Sequence, residues 1–332
     1  MEGGDRNLQK SKHIIGILCI VVISFMIIQS PWPNQYIQSL KRDAVTAVSQ
    51  KSELELQIGK AALDYKKEPK DAVIDPVWKA VPGYNGIEVD REASLKKMKK
   101  SGSFDEKKLV FKQTSPNVHL DDLPAAPIYK GNPEKPMVSF AINVAWGEEY
   151  LPEMLSVMKK EGVYATFFFE GRWVTKNPEL AKMVVESGHE AGNHSFSHPD
   201  MAKLSASRMH EEMIKTNQAI EASTDKKVKL FAPPSGSYRD DTVKEASQLG
   251  MKTIMWTVDT VDWKKPEPHV LVERVISKVQ PGSIILMHPT ESSAKALPRL
   301  IEEIKKKQLK IDTVSELLKE DRMFPIKIEK NE

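Results

Sequence analysis

The apolar positions fall into three patterns along the chain, and each predicts a different kind of element. Ile14 to Ile28 is a run of fifteen residues without a charge, preceded by Arg6, Lys10 and Lys12. A basic flank followed by an apolar core is the pattern of an export signal. A helix of that length spans about 22 Å, and Gln29 to Trp32 extend it toward the ~30 Å of a bilayer core with Trp32 at the interface. No small-x-small cleavage site follows directly, so an uncleaved anchor is expected. That places the protein at the cell membrane as a single-pass chain with an extracytoplasmic C-terminal part; secretion after cleavage is the alternative. Pro31 to Asn34 is expected to break this helix. Gln35 to Lys66 is polar but carries Ile37, Leu40, Val45, Val48, Leu54, Leu56 and Ile58 at helical spacing, as in a helical stalk.

From Asp71 to Pro127 the pattern is that of a small α+β region. It has a turn and short strand over residues 85–90, a helix over Arg91 to Lys99 and an alternating strand over Lys108 to Lys112. Gly131 to Pro136 reads as a turn-rich linker. Beyond it, apolar runs alternate with amphipathic stretches. Strands are predicted at Met137–Ile142, Tyr164–Glu170, Glu190–Asn193, Leu230–Ala232, Thr253–Trp256 and Ser283–Met287. Helices are predicted at Pro152–Glu161, Pro178–Ser187, Ser205–Ala222, Asp240–Leu249, Pro268–Lys278 and Ala294–Gln308. Repeated strand–helix units imply an α/β fold with a parallel sheet and outer helices, open or closed into a barrel. The expected division is an anchor at 1–30, a stalk at 31–70, a small α+β region at 71–132 and a barrel at 133–322.

Charge narrows the function classes. The net charge is only +3 with 29% charged residues, which argues against a nucleic-acid partner. The lysines at 96, 97, 99, 100 and 305–307 read as solvated helix faces. The chain has one cysteine, so no intrachain disulfide can form. Cys19 lies inside an apolar run that continues past it, which makes it a poor lipoprotein cysteine.

The chemistry concentrates in Gly188-His189-Glu190-Ala191-Gly192-Asn193-His194-Ser195-Phe196-Ser197-His198-Pro199-Asp200. His194 and His198 are four apart, and on a helical turn both imidazoles could meet one divalent metal. Alone, such a pair also describes ordinary histidines. Other segments follow predicted strands and so share one rim: Phe231-Ala232-Pro233-Pro234-Ser235-Gly236, Asp259-Thr260-Val261-Asp262-Trp263 and Ile285-Leu286-Met287-His288. Together with the strand Val163 to Phe169, their order resembles the polysaccharide deacetylase (NodB-homology) family of metal-dependent carbohydrate esterases, over about Pro136 to Leu318. Within that family the likeness is to a sporulation-associated branch of spore-forming Gram-positive bacteria.

The resemblance implies a deformed parallel (β/α) barrel that N-deacetylates a cell-wall or spore-wall glycan such as peptidoglycan. An acetamide resists hydrolysis, so such a site needs a metal, a carboxylate base, an oxyanion stabiliser and an acid for the leaving amine. By resemblance, His194 and His198 are metal ligands and His288 is the general acid. Asp259 would orient His288 and raise its pKa. Leu286 would line the acetyl pocket, with Pro234, Trp146 and Trp263 along the substrate. The implied cofactor is a divalent metal: zinc, with cobalt or another ion as alternatives.

Three positions depart from the family pattern. Asn143 stands at the base position, Val144 at that of the metal-binding aspartate, and Ala232 at that of an arginine that orients the base. An amide has no usable basic site and a valine cannot ligate. Two readings follow. In one, Glu148, Glu149 or Glu190 replaces the base and the enzyme still hydrolyses amides, or less demanding O-acetyl esters. In the other, the domain is a catalytically degenerate deacetylase that binds glycan without cleaving it. Trp146 and Trp263, beside motif residues, are the candidates for stacking on sugar rings. Phe167, Phe168, Phe169 and Trp256 read as packing.

Overall fold

The computed structural model describes residues 4–323. The chain divides into two compact units, one built from residues up to 66 together with 88–112 and the other from 67–87 together with 113–323. This is not the division expected from the sequence, since residues on both sides of 132 fold into the second unit.

The first unit contains two long helices, Gly4–Gln29 and Pro31–Asp64. The break falls at Ser30, earlier than predicted. Ser30 is extended (φ −66°, ψ 143°) and its Oγ accepts from the Trp32 N–H at 3.2 Å. Pro31 then starts a helix instead of ending one, because a first-turn residue needs no intrahelical N–H bond. Lys10–Gln29 is long and apolar enough to cross a membrane by length and composition, and none of it is buried. The distal end of the second helix is different: Leu54, Ile58, Ala61, Ala62 and Tyr65 are buried. A short helix, Arg91–Met98, packs there, capped by Asp90, which accepts from the Ala93 N–H at 2.9 Å. The strand expected at Lys108 to Lys112 begins instead at Phe111, after a tight turn over Glu106–Lys108.

The second unit is a curled parallel sheet wrapped by helices. Its strands are β1 (Met137–Val144), β2 (Thr166–Phe169), β3 (Glu190–Asn193), β4 (Leu230–Phe231), β5 (Lys252–Thr253), β6 (Val258–Asp259), β7 (Ile284–Met287) and β8 (Lys310–Ile311). Their order is β6-β7-β1-β2-β3-β4-β5, with β8 added beside the start of β1. The helices are α1 (Leu151–Glu161), α2 (Gly171–Lys176), α3 (Pro178–Glu186), α4 (Ala206–Thr224), α5 (Asp240–Gln248), α6 (Pro268–Ile276), α7 (Glu291–Lys306) and α8 (Val314–Leu318). The strand predicted at Thr253 to Trp256 is shorter than expected, and β6 and α2 had no clear sequence signal.

Alternation along β1 explains the layers. Val138, Phe140, Ile142 and Val144 join the apolar cluster that also holds Leu155, Phe169, Leu297 and Ile301 of the surrounding elements. Met137 and Ala141 fall in the other cluster, with Phe168, Leu230, Ala232 and Ile254 inside the barrel. Both faces are covered, as a parallel sheet requires, and all eight β1 residues are buried.

The sheet leaves a gap between β5 and β6, and residues 127–131 enter it. The Ile128 N–H donates to Thr253 O at 2.8 Å, and Met255 N–H donates back to Ile128 O at 2.7 Å. Two residues on, Lys130 bridges to Ser283 and Gly131 N–H donates to Gly282 O at 2.8 Å. The segment read as a linker, Gly131 to Pro136, is therefore tied into the barrel wall at its first residue. Lys135 within it is almost fully buried, and its Nζ donates to Glu316 O and Lys319 O at the end of α8, both at 2.6 Å.

His189 is a second buried polar residue, just before β3. Its Nδ1 accepts from the Ala165 N–H at 3.2 Å, and its ring meets Tyr164 and Phe167 edge-on. Burial pushes its pKa down to about 4, so the ring is neutral when folded. The unfolded chain binds this proton near pH 6.5, so between pH 6.5 and 4 the unfolded state holds more protons than the folded one. We expect His189 stabilisation to be complete above pH 6.5 and to fall as pH drops toward 4, by on the order of 3 kcal/mol. Denaturant midpoints from pH 7 to 4 check this, with His189→Asn flattening the dependence.

Candidate functional site

The C-terminal ends of β1, β3, β6 and β7 bring the predicted residues to one rim. Strand register sets their spacing. Val144 is level with Phe169, and Phe169 with Asn193, so the β1 end and the histidine segment lie two strands apart, about 10 Å across the sheet.

His194 and His198 do meet, with ring centroids 5.1 Å apart at 70°. They do so from a loop, not a helical turn, which corrects the reading from four-residue spacing. Ser195 and His198 both take left-handed backbone angles (φ 63° and 56°), which non-glycine residues adopt only when held. Several bonds hold them. Asn193 Oδ1 accepts from the Ser195 N–H at 2.8 Å, and Ser195 Oγ accepts from the His198 N–H at 3.1 Å. Glu212, buried on α4, accepts from the N–H groups of Phe196 at 3.0 Å and Ser197 at 2.7 Å and from the Ser197 hydroxyl at 2.9 Å. Sequence reasoning missed Glu212, which lies a loop and a helix turn away with no motif around it.

His194 is buried, and its Nδ1 lies 2.7 Å from the Ala232 carbonyl, so Nδ1 carries the proton and Nε2 is the free nitrogen. Burial, then the neighbouring His198, pushes its pKa down to about 3. Burial also lowers that of His198. Both rings are neutral donors, the form that binds a metal.

The rest of a metal site is missing. Val144 is fully buried in the apolar cluster at the strand end. Asn143 is 5% exposed, and its Oδ1 accepts no hydrogen bond. Among the described residues, no group of three or more His, Cys, Asp or Glu side chains is placed to hold a metal ion. Two neutral imidazoles with one amide oxygen do not fit a catalytic zinc site, which takes three strong protein ligands and keeps a fourth position open.

The His288 side of the rim is wired differently from expectation. The carboxylate holding His288 is Asp262, not Asp259. Asp262 is fully buried and accepts from the His288 N–H at 2.6 Å, pairs with His288 Nδ1 at 2.8 Å and accepts from the Ser293 hydroxyl at 2.6 Å. Asp259 instead accepts from the Val261 N–H at 2.7 Å, tightening the turn that delivers Asp262. The reason is position: Asp259 ends β6, while Asp262 opens the short turn beyond it. Trp146 stacks on His288, with centroids 5.9 Å apart and planes within 5°. Gly147 makes this approach possible. Its φ is 80°, and a Cβ there would collide with the Pro289 carbonyl.

The replacement bases fare unequally. Glu190 begins β3, at the opposite end of the barrel from the histidines. There it accepts from the Thr166 hydroxyl at 2.6 Å and the Ser315 N–H at 3.1 Å, docking α8. It cannot serve the rim. Glu148 accepts from the Trp173 indole N–H at 3.3 Å. Glu149 lines a cavity of about 400 Å³ beside Trp146 and Trp263. These two indoles are 46% and 53% exposed, as stacking surfaces need to be. Leu286 is buried in β7 level with Ala141, and Pro234 is buried in the turn after β4, so neither offers an open face.

Comparison with known proteins accords with this layout. The polysaccharide deacetylase family profile matches residues 130–254. The uncharacterized protein YlxY of Bacillus subtilis is 50% identical over 307 residues, covering 92% of this chain and 96% of that protein. The peptidoglycan-N-acetylmuramic acid deacetylase PdaA of the same organism is 32% identical, covering 59% of this chain and 76% of the enzyme. A crystal structure of BA3943 from Bacillus anthracis, described as a CE4 family pseudoenzyme, superposes with a TM-score of 0.77 at 54% identity, over 81% of this chain and 96% of that one. A mutant of that protein is described as having restored enzymatic activity. The chain belongs to the polysaccharide deacetylase (NodB-homology) family and is related to YlxY.

Proposed function

We propose that this protein is a deacetylase-fold glycan-binding protein of the cell envelope that holds an N-acetylated wall glycan without hydrolysing it. The observation that carries this is Val144, buried and apolar where the family resemblance calls for a metal-binding aspartate. Asn143 compounds it, since its amide cannot take a proton from water. Of the two readings the sequence left open, these residues favour binding over a rewired enzyme. The 54% identity to a protein described as a pseudoenzyme supports the same choice. Fold survives the loss of chemistry, so family membership does not argue against it.

What remains at the rim suits recognition. Trp146 and Trp263 offer apolar faces to a sugar ring, and His288, fixed through Nδ1 by Asp262, keeps Nε2 for a hydroxyl or acetamide. Relatives named as peptidoglycan deacetylases point to peptidoglycan as the glycan class. On this reading the apolar helix Lys10–Gln29 is an uncleaved anchor and the following helix is the stalk. Alkaline extraction of membranes should leave the chain in the pellet; recovery in the supernatant would mark a cleaved signal.

The purified chain should release no acetate from N-acetylated peptidoglycan with zinc or cobalt added, yet sediment with it. The triple variant Asn143→Asp, Val144→Asp, Ala232→Arg should gain zinc-dependent release that His194→Ala abolishes. Asp at 144 buries a carboxylate in an apolar cluster, so its unfolding midpoint should fall without zinc and recover with it. Metal-dependent acetate release by the parent, lost in His194→Ala, would sink the proposal and return the search to Glu148 and Glu149.

A further inference from the structure

A second aromatic surface lies outside the motif residues. It starts at the turn before Lys79. Asp75 Oδ1 accepts from the N–H groups of Val77 at 2.8 Å and Trp78 at 2.7 Å, and Lys79 follows with φ 57°. That tight turn leaves Trp78 38% exposed. Beside it runs the gap-filling segment of the barrel wall. Ile128 points into the barrel interior, so Tyr129, the next residue of an extended segment, faces the other way. The Trp78 and Tyr129 rings lie 6.4 Å apart at 60°, and the Lys130 ammonium sits 5.6 Å over the Trp78 ring. The Tyr129 hydroxyl is 2.8 Å from that of Tyr238.

Tyr238 joins this surface to the rim. It lies just past the turn Pro234–Gly236 that follows β4, and the adjacent Ser237 hydroxyl bonds to Asp200, at the end of the histidine segment. Aromatic faces, paired hydroxyls and one cation thus connect through Tyr238 and Ser237 to Asp200 beyond the His194–His198 loop, while Trp146 and Trp263 line the cavity at the rim. Burial and the bond to Tyr238 hold the Tyr129 phenol above its ordinary range, so it stays a neutral donor and acceptor.

We propose that Trp78, Tyr129 and Tyr238 form a second sugar-stacking subsite, which holds the same N-acetylated glycan strand that crosses the rim. The proposal rests on the glycan-binding reading above and adds where the strand runs. Aromatic faces take the apolar faces of sugar rings, the tyrosine hydroxyls take ring hydroxyls, and Lys130 meets the carboxylates a peptidoglycan strand carries. A strand spanning both surfaces gains from linked contacts that a disaccharide cannot make at once.

The test is calorimetric titration of the full chain with an N-acetylated disaccharide fragment of peptidoglycan and with a longer strand of the same material. Trp78→Ala should weaken the long strand about tenfold and leave the disaccharide unchanged, while Trp263→Ala weakens both. Trp78→Phe, which keeps an aromatic face, should retain most of the long-strand affinity. Unaltered long-strand affinity in Trp78→Ala, with Trp263→Ala weakened, would overturn the subsite and leave glycan binding standing. Equal loss for both fragments in Trp78→Ala would overturn it as general damage. No binding of either fragment by the parent would remove the glycan-binding reading and the subsite with it.

Discussion

The end of β1 lacks negative charge, and the character of the whole rim follows from that. Two neutral imidazoles hold a divalent cation well only when a third strong ligand joins them and sets the geometry. Here the two consecutive strand-end positions carry a buried valine and an amide whose Oδ1 is unpartnered. The arginine that the family pattern places opposite them is Ala232, whose backbone carbonyl still fixes the His194 ring. Loss of the carboxylate leaves such an arginine nothing to pair with, so the three departures form one electrostatic event.

The remaining parts of the rim are held by buried carboxylates. Glu212 anchors the histidine loop through three bonds, and Asp262 anchors His288 through two, with a third from Ser293. Buried carboxylates of this kind are tolerable only when their lone pairs are satisfied, and both are. They keep ring orientation and loop shape fixed, which serves recognition as well as catalysis. On the proposed reading, the Trp146–His288 stack and the Trp263 face present a preformed surface, so a bound sugar would require little ordering of the protein.

Much of this was legible in the sequence, for physical reasons. Strands such as Met137–Val144 and Thr166–Phe169 read clearly because burial on both faces makes them continuous apolar runs. The motif order placed His194, His198 and His288 on one rim because a parallel sheet sends every strand end the same way. Departures at 143, 144 and 232 were visible at once, since each replaces a charged group by one that cannot carry its chemistry. What sequence could not supply were contacts made over distance or by backbone geometry. Asp259 and Asp262 are three apart, and only the turn between them decides which reaches His288. Glu190 stands four residues before His194, yet a strand separates them by its full length. Gly131 to Pro136 looked like a linker because the partners of Gly131 and of the Lys135 ammonium, Gly282, Glu316 and Lys319, lie far along the chain.

The account turns on the missing third ligand, so zinc affinity tests it most directly. Calorimetric titration of the purified chain should find zinc bound about a hundredfold or more weaker than by the Asn143→Asp, Val144→Asp, Ala232→Arg variant, with His194→Ala changing the parent little. Tight stoichiometric zinc in the parent, lost on His194→Ala, would contradict it and show that two histidines and Asn143 suffice to hold a working metal.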